Sequence, residues 1–130
     1  MYSEGERYWE VDRRMGDYYC TRIWQLKQGA SSQEVELVAS SSVLEMLRWI
    51  AGVKQVSFVH LTESEPRRYL MTLLFTNQAS YTYWRQVEEE APDYWERFAS
   101  VQMHWEQLCA LIEEYAGVVV MNVGLEQDYA

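Results

Sequence analysis

The chain predicts an α+β fold of order strand, helix, strand, strand, helix, strand. Three observations predict it. Tyr18–Lys27 and Val118–Val123 are rich in β-branched, aromatic and aliphatic residues. Val56–Thr62 and Arg67–Thr76 form a second such pair, divided by the turn-like Glu63-Ser64-Glu65-Pro66. Apolar residues at three- and four-residue spacing fill Ser32–Ala51 and a longer stretch from about Ala79 to Tyr115. That order is the split-βαβ, ferredoxin-like plan, βαββαβ, with a four-stranded antiparallel sheet and two helices on one face.

Each element has its own signal. Residues 1–17 carry Glu4, Glu6, Glu10, Asp12 and Asp17 against Arg7, Arg13 and Arg14, with Tyr8 and Trp9 among them. They read as an N-terminal extension that docks by its aromatic side chains or stays partly disordered. Residues 18–130 read as one domain. Gly29 closes the first strand region, and Ser31 or Ser32 can cap the helix that follows, with Glu34 near its first turn. Val35, Val38, Ala39, Val43, Met46, Leu47 and Ile50 give that helix one apolar stripe, and Gly52 stops it. Asn77 can cap the second helix. Pro92 lies inside the pattern and should break it near Ala91, opening a second segment. There Trp95, Phe98, Val101, Trp105, Leu108, Ile112 and Tyr115 keep one face, and Ala116-Gly117 ends it.

Composition bounds the function. A chain of 130 residues with 48% hydrophobic and 15% aromatic content can fill a sizeable core. Six Trp and ten Tyr are unusual for this size, and such residues enrich cores but also interfaces and ligand pockets. A net charge of −9 without any run of Lys or Arg argues against nucleic acid and anionic membrane as partners. Cys20 and Cys109 read as buried free thiols in a reducing compartment. The first residues lack the apolar core of a secretory signal, and no apolar run approaches a membrane span. The expected location is the cytoplasm.

The strands carry an argument about assembly. A sheet with one wet face alternates apolar with polar residues. Here both phases are apolar: Cys20, Trp24 and Leu26 against Tyr19 and Ile23, then Tyr69, Met71, Leu73 and Phe75 against Leu70 and Leu74. Two helices cover one face only. Packing the other against the sheet of a second copy removes the exposed patch. A homodimer is expected.

At this point the chain resembles the dimeric α/β-barrel superfamily, over roughly residues 18–125. The resemblance rests on Arg22-Ile23-Trp24-Gln25-Leu26-Lys27-Gln28-Gly29, on Ile50-Ala51-Gly52-Val53, on Arg68-Tyr69-Leu70-Met71, and above all on Ser80-Tyr81-Thr82-Tyr83-Trp84-Arg85. It implies two ferredoxin-like protomers packed sheet to sheet, each with a pocket between its sheet and helices. Members include cofactor-independent quinol monooxygenases of the antibiotic-biosynthesis type, haem-degrading monooxygenases, chlorite dismutases and small regulatory proteins. The haem-degrading branch uses a first-strand Asn, a Trp near the start of the second helical region and a later His. Trp84 matches the Trp. Thr21 stands in place of the Asn, and the His position falls near Tyr94 or His104. Haem degradation is therefore not expected.

Among residues that could carry chemistry, His60 lies in the second strand, in phase with Val56 and Phe58. A strand His is commonly a hydrogen-bonded structural residue, yet it is the best general base the sequence offers. His104 sits at the edge of the last helical stripe, as a surface or capping residue or as a pocket contact. Thr21, Tyr81, Trp84 and His104 form the expected substrate-binding set, with Tyr81 and Trp84 as pocket walls or core aromatics. The His and Cys residues show no zinc-type spacing, and Glu88-Glu89-Glu90 and Glu113-Glu114 read as solvated helix faces. Neither a metal nor a cofactor is expected. Arg22, in phase with Cys20 and Trp24, needs a partner: a carboxylate across a dimer interface or an anionic group on a ligand. The resulting reading is a homodimer that binds a small apolar or aromatic molecule. The resemblance implies that, as an enzyme, it would be a cofactor-independent monooxygenase of a phenol or quinol with His60 as base. The alternative is a non-catalytic ligand-binding or protein-interaction module.

Overall fold

A computed structural model describes residues 16–123. The elements run β1 (Tyr18–Leu26), α1 (Ser32–Val38), a π-helical turn (Ala39–Val43), α2 (Leu44–Arg48), β2 (Val53–Leu61), β3 (Arg68–Phe75), α3 (Gln78–Glu90), α4 (Pro92–Leu108) and β4 (Cys109–Val118). The four strands form one sheet of order β2-β3-β1-β4, and every neighbouring pair is antiparallel. This is the expected ferredoxin-like α+β plan. Among the described residues no helix is long and apolar enough to cross a membrane. The expected extension lies outside the described residues except for Gly16 and Asp17.

Local chemistry explains most boundaries. Ser31 caps α1, its hydroxyl accepting from the Glu34 N–H at 3.3 Å. The π turn joins α1 to α2 without breaking the apolar stripe, so Val35, Val38, Val43, Met46 and Leu47 are all buried. Asn77 caps α3 by accepting from the Ser80 N–H at 2.8 Å. Pro92 opens α4 after an extended Ala91, as a proline at a first helical position should. Gly52 has φ +110°, a conformation that glycine alone adopts readily, and its Cα faces Ser80 on α3.

The last strand departs from expectation. α4 ends at Leu108, and β4 occupies Cys109–Val118, where a helix was expected to run to Tyr115 and a strand to start at Val118. Residues 119–123 are irregular, and Val120, Met121 and Val123 are exposed. The reason is pairing. The Lys27 N–H donates to the Leu108 carbonyl, and from there β1 and β4 pair from Leu26↔Cys109 to Tyr18↔Val118. The register shifts between Ile23 and Trp24, a bulge in β4 near Ile112. Ile112 and Tyr115 keep a helical spacing by coincidence, and both are exposed on this edge strand.

The core lies between the sheet and the helices. β1 contributes Cys20 and Trp24, β3 contributes Tyr69, Met71, Leu73 and Phe75, and the second helical pair contributes Trp84, Tyr94, Phe98 and Trp105. The opposite sheet face carries Tyr19, Thr21 and Ile23 of β1 and Leu70, Thr72 and Leu74 of β3, alternating with those core positions. Val59 and Tyr115 are among its exposed large residues.

Candidate functional site

β1 alternation turns Arg22 and Trp24 toward the helices. Together with Met71 of β3 they floor a cleft of about 680 Å³ between the sheet and the helical layer. That volume is in the range of small-molecule sites. The π turn and α2 give it one apolar wall of Val43, Met46 and Leu47. α4 gives the other, with the rings of Trp95 and Trp105. Trp24 and Trp105 meet edge to face, 5.5 Å between centroids. Cys109, Ala110 and Leu111 close the β4 side. The indole N–H groups of Trp24 and Trp105 have no hydrogen-bond partner among the described residues.

The polar end of the cleft is an ion network. Arg22, with its side chain 11% exposed, donates to both carboxylate oxygens of Glu88, at 2.7 and 3.1 Å, and through Nε to Glu114 at 2.5 Å. Arg85 joins Glu114 to Glu89. The Arg22 guanidinium also lies 4.8 Å from the Trp84 ring centroid. Burial opposes the charge on Arg22, but the Glu88 hydrogen bond and the charges of Glu88 and Glu114 outweigh it and raise its basicity further. Burial likewise opposes the Glu114 carboxylate, and Arg22 and Arg85 together hold it below the ordinary range. Arg22 therefore finds its partners within its own chain, on α3 and β4.

At the cleft mouth stand Glu89, Glu106, Lys27 and Gln102. Lys27 donates to the Glu106 carbonyl, and Gln102 donates to the Glu106 carboxylate at 3.0 Å. Burial pushes the Cys109 thiol, on the cleft wall, up to about 12.

The residues expected to form the site are not gathered in this cleft. Thr21 is on the opposite sheet face, in a shallow dimple with Tyr19, Thr72 and Leu74, because it alternates with Cys20 and Arg22. Trp84 is wholly buried beneath Arg22 and takes the core role. Tyr81 packs between Tyr18, Phe75 and Trp84. His60 faces the helix side of edge strand β2, its ring 5.7 Å from that of Tyr69, and does not line the cleft. His104 is half-exposed, hydrogen-bonded to Glu34 at 2.8 Å across α1 and α4. Sequence reading missed Glu88 and Glu114 because each sits in a run of acids that resembles a solvated helix face. The need of Arg22 for a carboxylate was the available signal. Among the described residues no group of three or more His, Cys, Asp or Glu is arranged to hold a metal.

No protein-family profile and no curated protein matches the chain. Solved structures do resemble it. SnoaB, a cofactor-independent oxygenase from Streptomyces nogalater, superposes with a TM-score of 0.63 at 8% identity, over 83% of this chain and 97% of that one. A dabb family protein with a ferredoxin-like fold from Mesorhizobium loti gives 0.58 at 20% identity, over 82% and 99%. A dimeric ferredoxin-like protein from an uncultured marine organism gives 0.58 at 14% identity, over 90% and 99%. The likeness is one of fold: a ferredoxin-like protomer with a four-stranded antiparallel sheet.

Proposed function

We propose that this chain, with the dimeric α/β-barrel protomer fold, self-associates through its open sheet face and binds a small aromatic molecule in the cleft between sheet and helices. The cleft itself carries the reading: about 680 Å³, walled by Trp24, Trp95 and Trp105 and anchored at one end by a fixed ion network. Aromatic walls with a few polar groups at one end suit a planar ligand that carries one or two hydroxyls. Titration of tryptophan fluorescence with naphthalenediols tests the reading. Saturable quenching that Trp95→Ala weakens is expected, and no saturable quenching by any diol overturns it.

The chemistry we propose for such a ligand is cofactor-independent oxygenation of a phenol or quinol. The support is the likeness to SnoaB in fold and the apolar cleft, which shields a reactive anion from water. A base must come within hydrogen-bond reach of the substrate hydroxyl. His60 lies off the cleft wall, whereas the carboxylates of Glu88, Glu89 and Glu106 lie on it. Oxygen uptake with hydroquinones should therefore survive His60→Ala. A loss of the order of 10²-fold or more in that variant would restore His60 as the base. Absence of uptake with every hydroquinone leaves the binding module as the function.

A further inference from the structure

We propose that the cleft discriminates by charge, taking aromatic molecules with a basic nitrogen in preference to neutral ones and rejecting those with an acid group. The inference rests on the binding reading above and specifies its ligand class.

The observation is that Arg22, the cation on the cleft floor, is already committed to carboxylates. Arg22 gives three donors to Glu88 and Glu114 at 2.5–3.1 Å. Lys27 is tied to the Glu106 carbonyl. A ligand carboxylate or sulfonate thus finds no unpaired cation on the cleft floor, and at the mouth only the exposed Lys27, whose charge the carbonyl leaves unneutralised. Glu88, Glu89 and Glu106 outnumber the two cations among the lining residues, but both Glu88 oxygens accept from Arg22, so a ligand meets chiefly Glu106, bonded to the neutral Gln102, and the Glu89 oxygen that Arg85 leaves free. Glu106 is exposed and Glu89 is 55% exposed in its side chain, so both face a molecule entering from solvent. An ammonium gains from these carboxylates and from the faces of the tryptophans, a cation–π attraction of about 0.5–1 kcal/mol at partly exposed sites. The whole chain, at −9, adds a field of the same sign. The test must separate that global field from the cleft.

Three naphthalenes of one size provide the probes: 1-naphthylmethylammonium, 1-naphthylmethanol and 1-naphthoate, measured by equilibrium dialysis against the full chain at low salt. The ammonium should bind a few-fold more tightly than the alcohol, and the naphthoate about tenfold or more weaker than the ammonium. Glu89→Gln/Glu106→Gln should collapse the spread between the three probes. Glu63→Gln/Glu96→Gln removes two exposed carboxylates that line no part of the cleft, for the same change in net charge. It should leave most of the spread intact. Equal binding of all three probes overturns the charge selection and leaves the binding site standing. Equal effects of the two double variants assign the preference to the global field and also overturn it. No binding of any probe overturns the site itself.

Discussion

Arg22 is the residue on which β1, α3 and β4 converge. Its charge is nearly removed from water, so the ion network is worth less as net stability than as a fixed geometry. Removing one partner is another matter, because the charge left behind is uncompensated. Arg22→Ala strands Glu88, leaves Glu114 to Arg85 alone, and should lower unfolding stability by about 3–5 kcal/mol, whereas Arg22→Met with Glu88→Leu should cost much less. Urea melts of the single and double variants make the comparison, and equal losses would show that the pair matters only through packing. The network also sets a pH dependence. Glu114 titrates below its ordinary value of 4.5 in the fold, so its contribution is complete above that value and is lost as pH falls through the lower folded value. Stability should fall more steeply below pH 4.5 in the natural chain than in Glu114→Gln, as read from urea midpoints at successive pH values. Cys20 and Cys109 are both buried, and desolvation raises their thiols to about 11 and about 12. Neither should react with Ellman's reagent at pH 8 in the native chain, and both should react in denaturant. Rapid native labelling would contradict the core packing around them.

At the scale of elements, two glycines make the turns possible, with different demands. Gly29 has φ +83° with open space where a Cβ would stand. Gly52 has φ +110°, and a Cβ there would lie 3.0 Å from the Ser80 Cβ of α3. Gly29→Ala carries the backbone cost alone, about 1–2 kcal/mol. Gly52→Ala adds a clash that α3 must yield to, and should destabilise more. Thermal melts of the two variants rank them, and the reverse order would mean that α3 shifts freely. The boundary of α4 and β4 shows how an element signal can mislead. The stripe through Ile112 and Tyr115 has helical period, but β1 holds an unpaired edge beside it. Ten residues of ladder, from Cys109 to Val118, outweigh the helical pattern of a segment whose apolar side chains gain little burial either way.

At the scale of the whole molecule, one sheet face carries no helix among the described residues. Ile23, Val59, Leu70, Leu74 and Tyr115 lie on it, and a second sheet is the natural cover for such a face. Sedimentation equilibrium at micromolar concentration should give a dimer, and Leu70→Arg at the middle of that face should give a monomer that still binds aromatic ligands. A natural chain that sediments as a monomer would remove the sheet-to-sheet assembly. The cleft lies on the other side, within one protomer, so ligand binding and self-association should respond to different substitutions.

What the amino-acid order determined by itself was the plan: strand and helix alternation, a cap at Ser31 or Ser32, the Asn77 cap, the break at Pro92 and the two apolar phases of the sheet. These are local signals, carried by period and by single residues at chain turns. Tertiary structure decided which acids matter and which aromatics line a site. Glu88 and Glu114 lie 26 residues apart, and nothing local marks them as partners of Arg22, since a buried charge selects its partners by position in space. Strand alternation separated Thr21 from Trp84 by a whole sheet, and a place on an edge strand kept His60 off the cleft wall. Sequence spacing identifies which residues share an element, but a binding site is assembled from several elements, and only their packing determines which side chains face one another.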